Sequence, residues 1–214
     1  MEYQAIVLAA GKASRSKLSY NKVFYKIDDK PIVFLSALNF IEDKDCHKIF
    51  VVCQNKEEET FKSIFKNIEK ISFVSGGETR QESVYNALKL VDSDYVIIHD
   101  AARPFYSKKL LTNLKNKLVN YDCVIPVIDS IDTLKIVRNN KVIKTINREE
   151  VKRVQTPQGF KTSNILLAHK KADNNLYSDD SSMIEDILNE EVFVIDGEKE
   201  NIKFTNQDDF IGDL

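Results

Sequence analysis

Cysteine, proline, glycine and long apolar runs are all scarce in this sequence, and each scarcity narrows its reading. Only three cysteines occur in the 214 residues, Cys46, Cys53 and Cys123. They show no Cys-x-x-Cys spacing and cannot all pair, so a structural zinc site and a disulfide framework are both disfavoured. A reducing, cytoplasmic location is the expectation. No apolar run approaches the roughly 20 residues that a membrane helix requires. The first strand begins so near the N-terminus that no signal peptide is expected. Neither sign of charge is in excess: 31 Lys and Arg face 33 Asp and Glu, for a net charge of −2. With no aromatic–basic platform either, the footprint of a nucleic-acid binder is missing.

What is present fits a globular protein. The hydrophobic share is 43% and the charged share 30%, and the length suffices for a substantial core in a single domain spanning residues 1–214. With only six glycines and four prolines, their positions carry information. Gly76-Gly77, Arg103-Pro104, Thr156-Pro157-Gln158-Gly159 and Asp196-Gly197 punctuate the chain.

The stretch Ala5–Ala10 is an apolar, β-prone run that ends in small residues and Gly11, with Lys12, Arg15 and Lys22 following. Such a strand-to-loop transition can offer backbone N–H groups and cationic side chains to a phosphate chain. It is neither a Walker loop nor a dinucleotide fingerprint, because the required Gly-Lys-Ser/Thr and the later glycines are missing. Taken alone, it is as readily a turn with solvated cations.

Beyond it the chain alternates between strand and helix. Val23–Ile27 reads as extended, Asp28-Asp29-Lys30 as a turn, and Ile32–Ile41 as a buried helix opened by Pro31. Strands are expected at 49–53, 71–74, 95–99 and 124–127. Helices are expected through Phe61–Ile68, from the capping box Thr79-Arg80-Gln81-Glu82, and from Ser107. The strands are unbroken apolar runs, which predicts an α/β fold: a mostly parallel sheet with helices on both faces. In such sheets ligands bind beyond the carboxyl ends of the strands, where Gly11–Arg15, Gly76–Ser83 and Asp100–Arg103 all fall. The alternation then breaks. Ile131–Val137 and Val142–Ile146, joined at Asn139-Asn140, predict a projecting β-arm inserted at about 129–150. Helices near 164–171 and 182–188 and a strand at 192–195 follow.

Asp100-Ala101-Ala102-Arg103-Pro104 is the most pointed of the loops. An Asp at a buried strand end can hold Mg²⁺, and Arg103 can grip a phosphate bidentately. An Asp–Arg pair that merely closes the loop is the plainer alternative. His99 reads as a satisfied core residue, and His47 and His169 have no local partners that suggest a role.

Taken together, the motifs resemble one family. They are Ala9-Ala10-Gly11 with Arg15 and Lys22, Gly-Gly-x-x-Arg-Gln-x-Ser-Val at 76–84, and His99-Asp100-Ala101-Ala102-Arg103-Pro104-Phe105. Asp132-Thr133, Arg148, Thr156-Pro157-Gln158, Asp179-Asp180 and Asn201-Ile202-Lys203-x-Thr205 complete the set. In this order, nearly end to end, they are similar to the 2-C-methyl-D-erythritol 4-phosphate cytidylyltransferases. The resemblance implies a Rossmann-like nucleotidyltransferase fold whose β-arm makes a homodimer. It implies a reaction of CTP with methylerythritol phosphate, with Mg²⁺, releasing pyrophosphate. Ala9, Ala10, Gly11 and Arg15 would surround the CTP phosphates, Lys22 would sit beside the α-phosphate, and Gly77, Glu78 and Ser83 would face the cytidine. Asp100 would serve metal and substrate, with Ala101, Arg103 and Thr156 lining the substrate pocket. Thr133 and Arg148 would act on the partner subunit's substrate, and Lys203 would complete the cationic ring, making Arg15, Lys22 and Lys203 the catalytic set.

Two positions depart from the family pattern: Ala13 replaces a usual glycine, and Asn21 replaces a common proline, at some cost in rigidity. A ribitol-5-phosphate cytidylyltransferase is the nearest rival, but Ala9-Ala10-Gly11 and Asp100-Ala101-Ala102-Arg103 favour methylerythritol. A catalytically inactive nucleotide-binding module would predict loss of a cation or of Asp100, and none is lost.

Overall fold

The computed structural model describes residues 1–11, 20–172, 177–205 and 207–210. Its strands and helices, in chain order, are β1 (Tyr3–Leu8), β2 (Lys26–Ile27), β3 (Lys30–Pro31), α1 (Ile32–Glu42), β4 (Cys46–Cys53), α2 (Glu58–Ile64), β5 (Ile71–Ser75), α3 (Arg80–Leu88) and β6 (Tyr95–Asp100). They continue with α4 (Lys108–Leu118), β7 (Cys123–Asp129), β8 (Lys135–Arg138), β9 (Lys141–Thr145), β10 (Lys152–Val154), β11 (Gln158–Lys161), α5 (Thr162–Lys171), α6 (Ser181–Met183) and β12 (Phe193–Asp196).

The apolar strand runs are buried on both faces, as a sheet sandwiched by helices requires. Along β1, Ala5 and Val7 point into one core and Ile6 into the other. The first core is closed by Val33, Ala37 and Phe40 of α1, Phe61 of α2 and the Leu110/Leu111/Leu114/Leu118 stripe of α4. The second is closed by Val84, Ala87 and Leu88 of α3 with Ile165 and Ala168 of α5 and Met183 of α6. No described helix is long and apolar enough to cross a membrane.

β1 lies between β4 and β6, parallel to both, and β5 extends the parallel set. The other half of the sheet is mixed. β11 runs antiparallel between β6 and β7, while β12 pairs with β7 in parallel. β12 occupies one edge of β7 along Val124–Val127, so β10 and β11 must share its other edge, end to end. The break between them falls at Gln155, Thr156 and Pro157, beside the end of β6.

Several local expectations are revised. Instead of being extended throughout, Val23–Ile27 begins in a 3-10 turn, Lys22–Phe24, because the Asn21 side chain accepts from Val23 N–H. α2 stops at Ile64, and Asn67 takes a left-handed φ of 66° where the helix was expected to continue. Pro31 stands just before α1, paired with Lys26, not within the first turn. The segment 182–188 is one α-turn at Ser181–Met183 followed by π-helix at Ile184–Leu188. The antiparallel strands β10 and β11 are an addition to the expected sheet; in sequence this region reads only as punctuation and as the Thr156-Pro157-Gln158 motif.

β8 and β9 form a separate two-stranded sheet in which every residue is exposed. Asn139 and Asn140 make its turn with φ of 48° and 59°, as the tight Asn-Asn connection predicted.

Candidate active site

The carboxyl ends of β1, β4, β5 and β6 are stitched together one bond beyond the strands. Ala9 N–H donates to Val52 O at 2.8 Å, Gly76 N–H to Cys53 O at 2.8 Å, and Ala101 N–H to Leu8 O at 3.1 Å. The loops after the strands therefore leave the sheet side by side. Gly76 is required for this closeness, since a Cβ there would lie 2.5 Å from the Ala10 Cβ. Gly11 differs: beyond its chain neighbours, a Cβ there would meet none of the described residues within 4 Å, and no described glycine has positive φ.

The loop after β5 is fastened by the first turn of α3. Thr79 Oγ1 accepts from Glu82 N–H at 3.1 Å, Gly77 N–H donates to Ser83 Oγ at 3.0 Å, and Ser83 Oγ–H donates to Thr79 O at 2.8 Å. The Glu82 carboxylate reaches one residue further than a capping box predicts, accepting from Glu78 N–H at 2.7 Å.

Between these loops lies a cleft of about 300 Å³. Ala9, Ala10 and Gly11 form one side, Gly77, Glu78 and Ser83 another, and Lys22, Arg80, Asp100 and Lys203 supply most of its charge. Asp100 is the centre of that charge. Lys203 Nζ is 2.6 Å from its Oδ2, Arg103 Nε 3.8 Å, and Arg80 Nε 3.9 Å from its Oδ1. Burial works to raise the Asp100 carboxyl, but the cations of Lys203, Arg80 and Arg103 overcome it and hold the group well below the ordinary carboxylate range. Arg80 is itself anchored at 2.7 Å by the buried Asp180, which is also 3.2 Å from His169 Nε2.

Behind Asp100 the hydrogen bonds fix one proton arrangement. His99 Nε2 lies 2.9 Å from Arg103 O, a carbonyl that can only accept, so Nε2 carries the hydrogen. His99 Nδ1 then accepts from Thr156 Oγ1 at 2.9 Å, and Thr156 Oγ1 accepts from Asp100 N–H at 3.1 Å. Burial lowers the His99 pKa to about 4, so this imidazole is neutral. Thr156 thus braces Asp100 from behind.

The segment that carries Lys203 closes the cleft. Asn201 Nδ2 donates to Thr156 O at 2.8 Å, Arg103 Nη1 to Asn201 O at 2.8 Å, and Phe204 N–H to Ala102 O at 2.9 Å. Lys22 Nζ reaches the same segment, donating to Phe204 O at 2.7 Å.

The family model for IspD, 2-C-methyl-D-erythritol 4-phosphate cytidylyltransferase, matches residues 3–212. The chain belongs to the IspD family. Among curated relatives, the 2-C-methyl-D-erythritol 4-phosphate cytidylyltransferase of Bacillus thuringiensis (strain Al Hakam) is 35% identical, covering 98% of this chain and 95% of the relative. That of Geobacillus thermodenitrificans (strain NG80-2) is 37% identical over 99% and 95%. The 4-diphosphocytidyl-2C-methyl-D-erythritol synthase structure from Anaerococcus prevotii DSM 20548 superposes with a TM-score of 0.88 at 31% identity, covering 98% of this chain and 95% of that one. The bifunctional IspDF of Campylobacter jejuni gives a TM-score of 0.84 at 30% identity, with 98% of this chain matching 53% of that longer protein.

Of the residues singled out from sequence in this IspD-family chain, Ala9, Ala10, Gly11, Lys22, Gly77, Glu78, Ser83, Asp100 and Lys203 line one cleft. Arg103 and Thr156 stand directly behind it through their bonds to Asp100 and its neighbours. Ala101 is fully buried in the first core, and Ala102 lines the cleft in its stead. Thr133 and Arg148 are exposed at the base of the arm, where Arg148 Nη1 donates to Ile131 O at 3.4 Å; neither lines the cleft of its own chain. Arg15 lies outside the described residues, as do Lys12, Ala13 and Ser14. The sequence alone assigns no site role to Arg80, Asn21 or Asp180. The partners that define them are distant in the chain, and only the Arg within the 76–84 motif was there to hint at one.

The neutral His99 makes a pH prediction. Its folded pKa of about 4 lies below the ordinary value of about 6.5, so the unfolded chain binds the proton first. The stability this contributes is complete above about pH 6.5 and is lost as pH falls toward about 4, by roughly 3 kcal/mol at most. Urea midpoints between pH 7 and pH 4 should fall in the native protein and fall less in a His99→Gln variant; parallel curves would contradict the assignment.

Proposed function

We propose that this chain transfers the cytidyl group of CTP to 2-C-methyl-D-erythritol 4-phosphate, releasing pyrophosphate, in non-mevalonate isoprenoid precursor synthesis. The observation that carries this reading is the convergence of Lys22, Arg80 and Lys203 with Asp100 in one cleft at the strand ends of an IspD-family chain. In this reaction a phosphate oxygen of the polyol attacks the α-phosphorus, a new P–O–P link forms, and the bond to the β-phosphate oxygen breaks. No proton need be removed from the nucleophile, so a general base is unnecessary; positioning and charge stabilisation supply the rate.

In the proposed roles, Ala9, Ala10, Gly11 and Arg15 surround the CTP phosphates. Lys22 stands at the α-phosphate, and Gly77, Glu78 and Ser83 face the cytidine. Asp100 serves the metal and the substrate, Ala101, Arg103 and Thr156 line the substrate pocket, and Lys203 completes the cationic ring. Beyond its chain neighbours, no described residue lies within 4 Å of where a Cβ of Gly11 would stand, which supports a close approach of phosphate to backbone.

We propose Mg²⁺ as the cofactor. Among the described residues no group of three or more His, Cys, Asp or Glu side chains could hold a metal alone. Asp100, kept ionised at the cleft wall, fits the protein share of an ion bound mainly through nucleotide phosphates and water. When bound, the ion neutralises phosphate charge.

We also infer one domain with the arm as an insertion, acting in the cytoplasm as a homodimer. The three free, buried cysteines agree with a reducing compartment. An isolated hairpin is only marginally stable in water, and Val137, Val142 and Ile143 are exposed on this one; a second copy covering them would supply the missing burial. In that dimer Thr133 and Arg148 serve the partner's substrate.

Two measurements test this reading. Incubation with CTP, Mg²⁺ and either polyol phosphate should release pyrophosphate with methylerythritol phosphate far faster than with ribitol phosphate. A Lys22→Ala variant should lose about 100-fold or more in turnover with its melting temperature nearly unchanged. The reverse substrate preference, or normal turnover by that variant, would refute it. For the arm, sedimentation should give a dimer mass for the native chain and a monomer mass when 131–147 is replaced by a short turn; a native monomer would overturn the dimer.

A further inference from the structure

The position just before Lys22 does more than connect it to the opening loop. Asn21 is 7% exposed, and its carboxamide makes three links. Its Nδ2 donates to the Ala9 carbonyl at 2.9 Å and to Glu57 Oε2 at 3.1 Å, and its Oδ1 accepts from Val23 N–H at 3.4 Å. Each link reaches a different segment of the chain. Ala9 belongs to the wall after β1. Glu57 belongs to the 3-10 turn after β4, Asn55–Glu57. Val23 belongs to the 3-10 turn that carries Lys22, whose backbone closes through Phe24 N–H to Asn21 O at 3.0 Å and Tyr25 N–H to Lys22 O at 3.1 Å.

We infer that Asn21 is a positioning residue that sets the Lys22 ammonium against the wall formed by Ala9, Ala10 and Gly11. The geometry requires an amide. An aspartate would keep the cap on Val23 but lose both donors, set an acceptor against the Ala9 carbonyl oxygen and face the Glu57 carboxylate with a like charge. An alanine would leave the buried Ala9 carbonyl without this donor and the turn without its cap. The backbone at Asn21, with φ −65° and ψ 121°, sits where many residues sit comfortably, so the side chain and not the conformation selects asparagine. A lysine on four rotatable bonds holds its head only as well as its backbone is held. Here that backbone is tied at one end by Asn21 while the Nζ reaches Phe204 O at the other. The role rests on the proposal that Lys22 acts at the α-phosphate.

The test is a cycle of Asn21→Ala, Lys22→Ala and the double variant, read in single-turnover pyrophosphate release at saturating CTP, with CTP affinity and melting temperature measured alongside. Asn21→Ala should lower the rate about 10- to 100-fold, as a displacement of the order of 1 Å does, with CTP affinity changed less than about threefold. In the Lys22→Ala background the same substitution should change the rate by no more than about twofold, because the residue it positions is gone. Asn21→Ser, which keeps a cap oxygen and one donor, should recover part of the rate, and it stands in if Asn21→Ala does not fold. Multiplicative losses in the double variant, or an Asn21→Ala rate within twofold of native, would overturn the inference. A native rate in Lys22→Ala alone would instead remove the reading of Lys22 on which it rests.

Discussion

A single desolvated carboxylate holds this site together. Asp100 ends the central strand β6 and draws Lys203, Arg103 and Arg80 from three different segments onto one point. Burial opposes its ionisation, so it stays charged only because those cations are there. The dependence is mutual. Lys203 reaches the cleft from the closing segment, and Arg80, which also answers Asp180, orients the start of α3. With more cations than carboxylates gathered at its mouth, the cleft suits a polyphosphate and a second phosphate that would otherwise repel each other.

The rest of the fold arranges that meeting. Parallel order in β4, β1 and β6 brings three loops to one sheet end, and bonds beyond the strands keep those loops in step. The antiparallel β11 has the opposite task. By entering between β6 and β7 it brings Thr156 behind Asp100, where one hydroxyl joins the Asp100 amide to the neutral His99. The Asn201 amide then ties the Lys203 segment to the same residue. Polar groups this deeply buried are tolerated because most of their donors and acceptors are matched, the Asn201 Oδ1 being left without a partner.

Much of this could be read from the sequence where the signal was local. Unbroken apolar runs such as Ile49–Cys53 announced doubly covered strands, and Ser107 and Thr79 announced helix starts; both cap the following amides. The cleft-facing small residues were visible as Ala9-Ala10-Gly11 and Gly76-Gly77. What escaped was set by contacts between distant residues. The amide of Asn21 looked like a loss of rigidity until Ala9, Glu57 and Val23 were seen around it. Arg80 reads as one cation among many until Asp180, a hundred positions away, faces it. β10 and β11 are too short, and too interrupted by Pro157, for any periodicity to reveal them. The residues of β8 and β9 are all exposed, so their pattern predicts a hairpin but not its purpose.

The claim that Asp100 organises the cleft is tested most directly by an isosteric neutral replacement. In Asp100→Asn the shape is kept while three cations lose their shared counter-charge. The expected result is an unfolding free energy, from urea titration, lower by about 3 kcal/mol, with cytidyl transfer reduced at least about 100-fold even at saturating CTP and Mg²⁺. An Asp100→Asn protein as stable and as active as the native chain would contradict it.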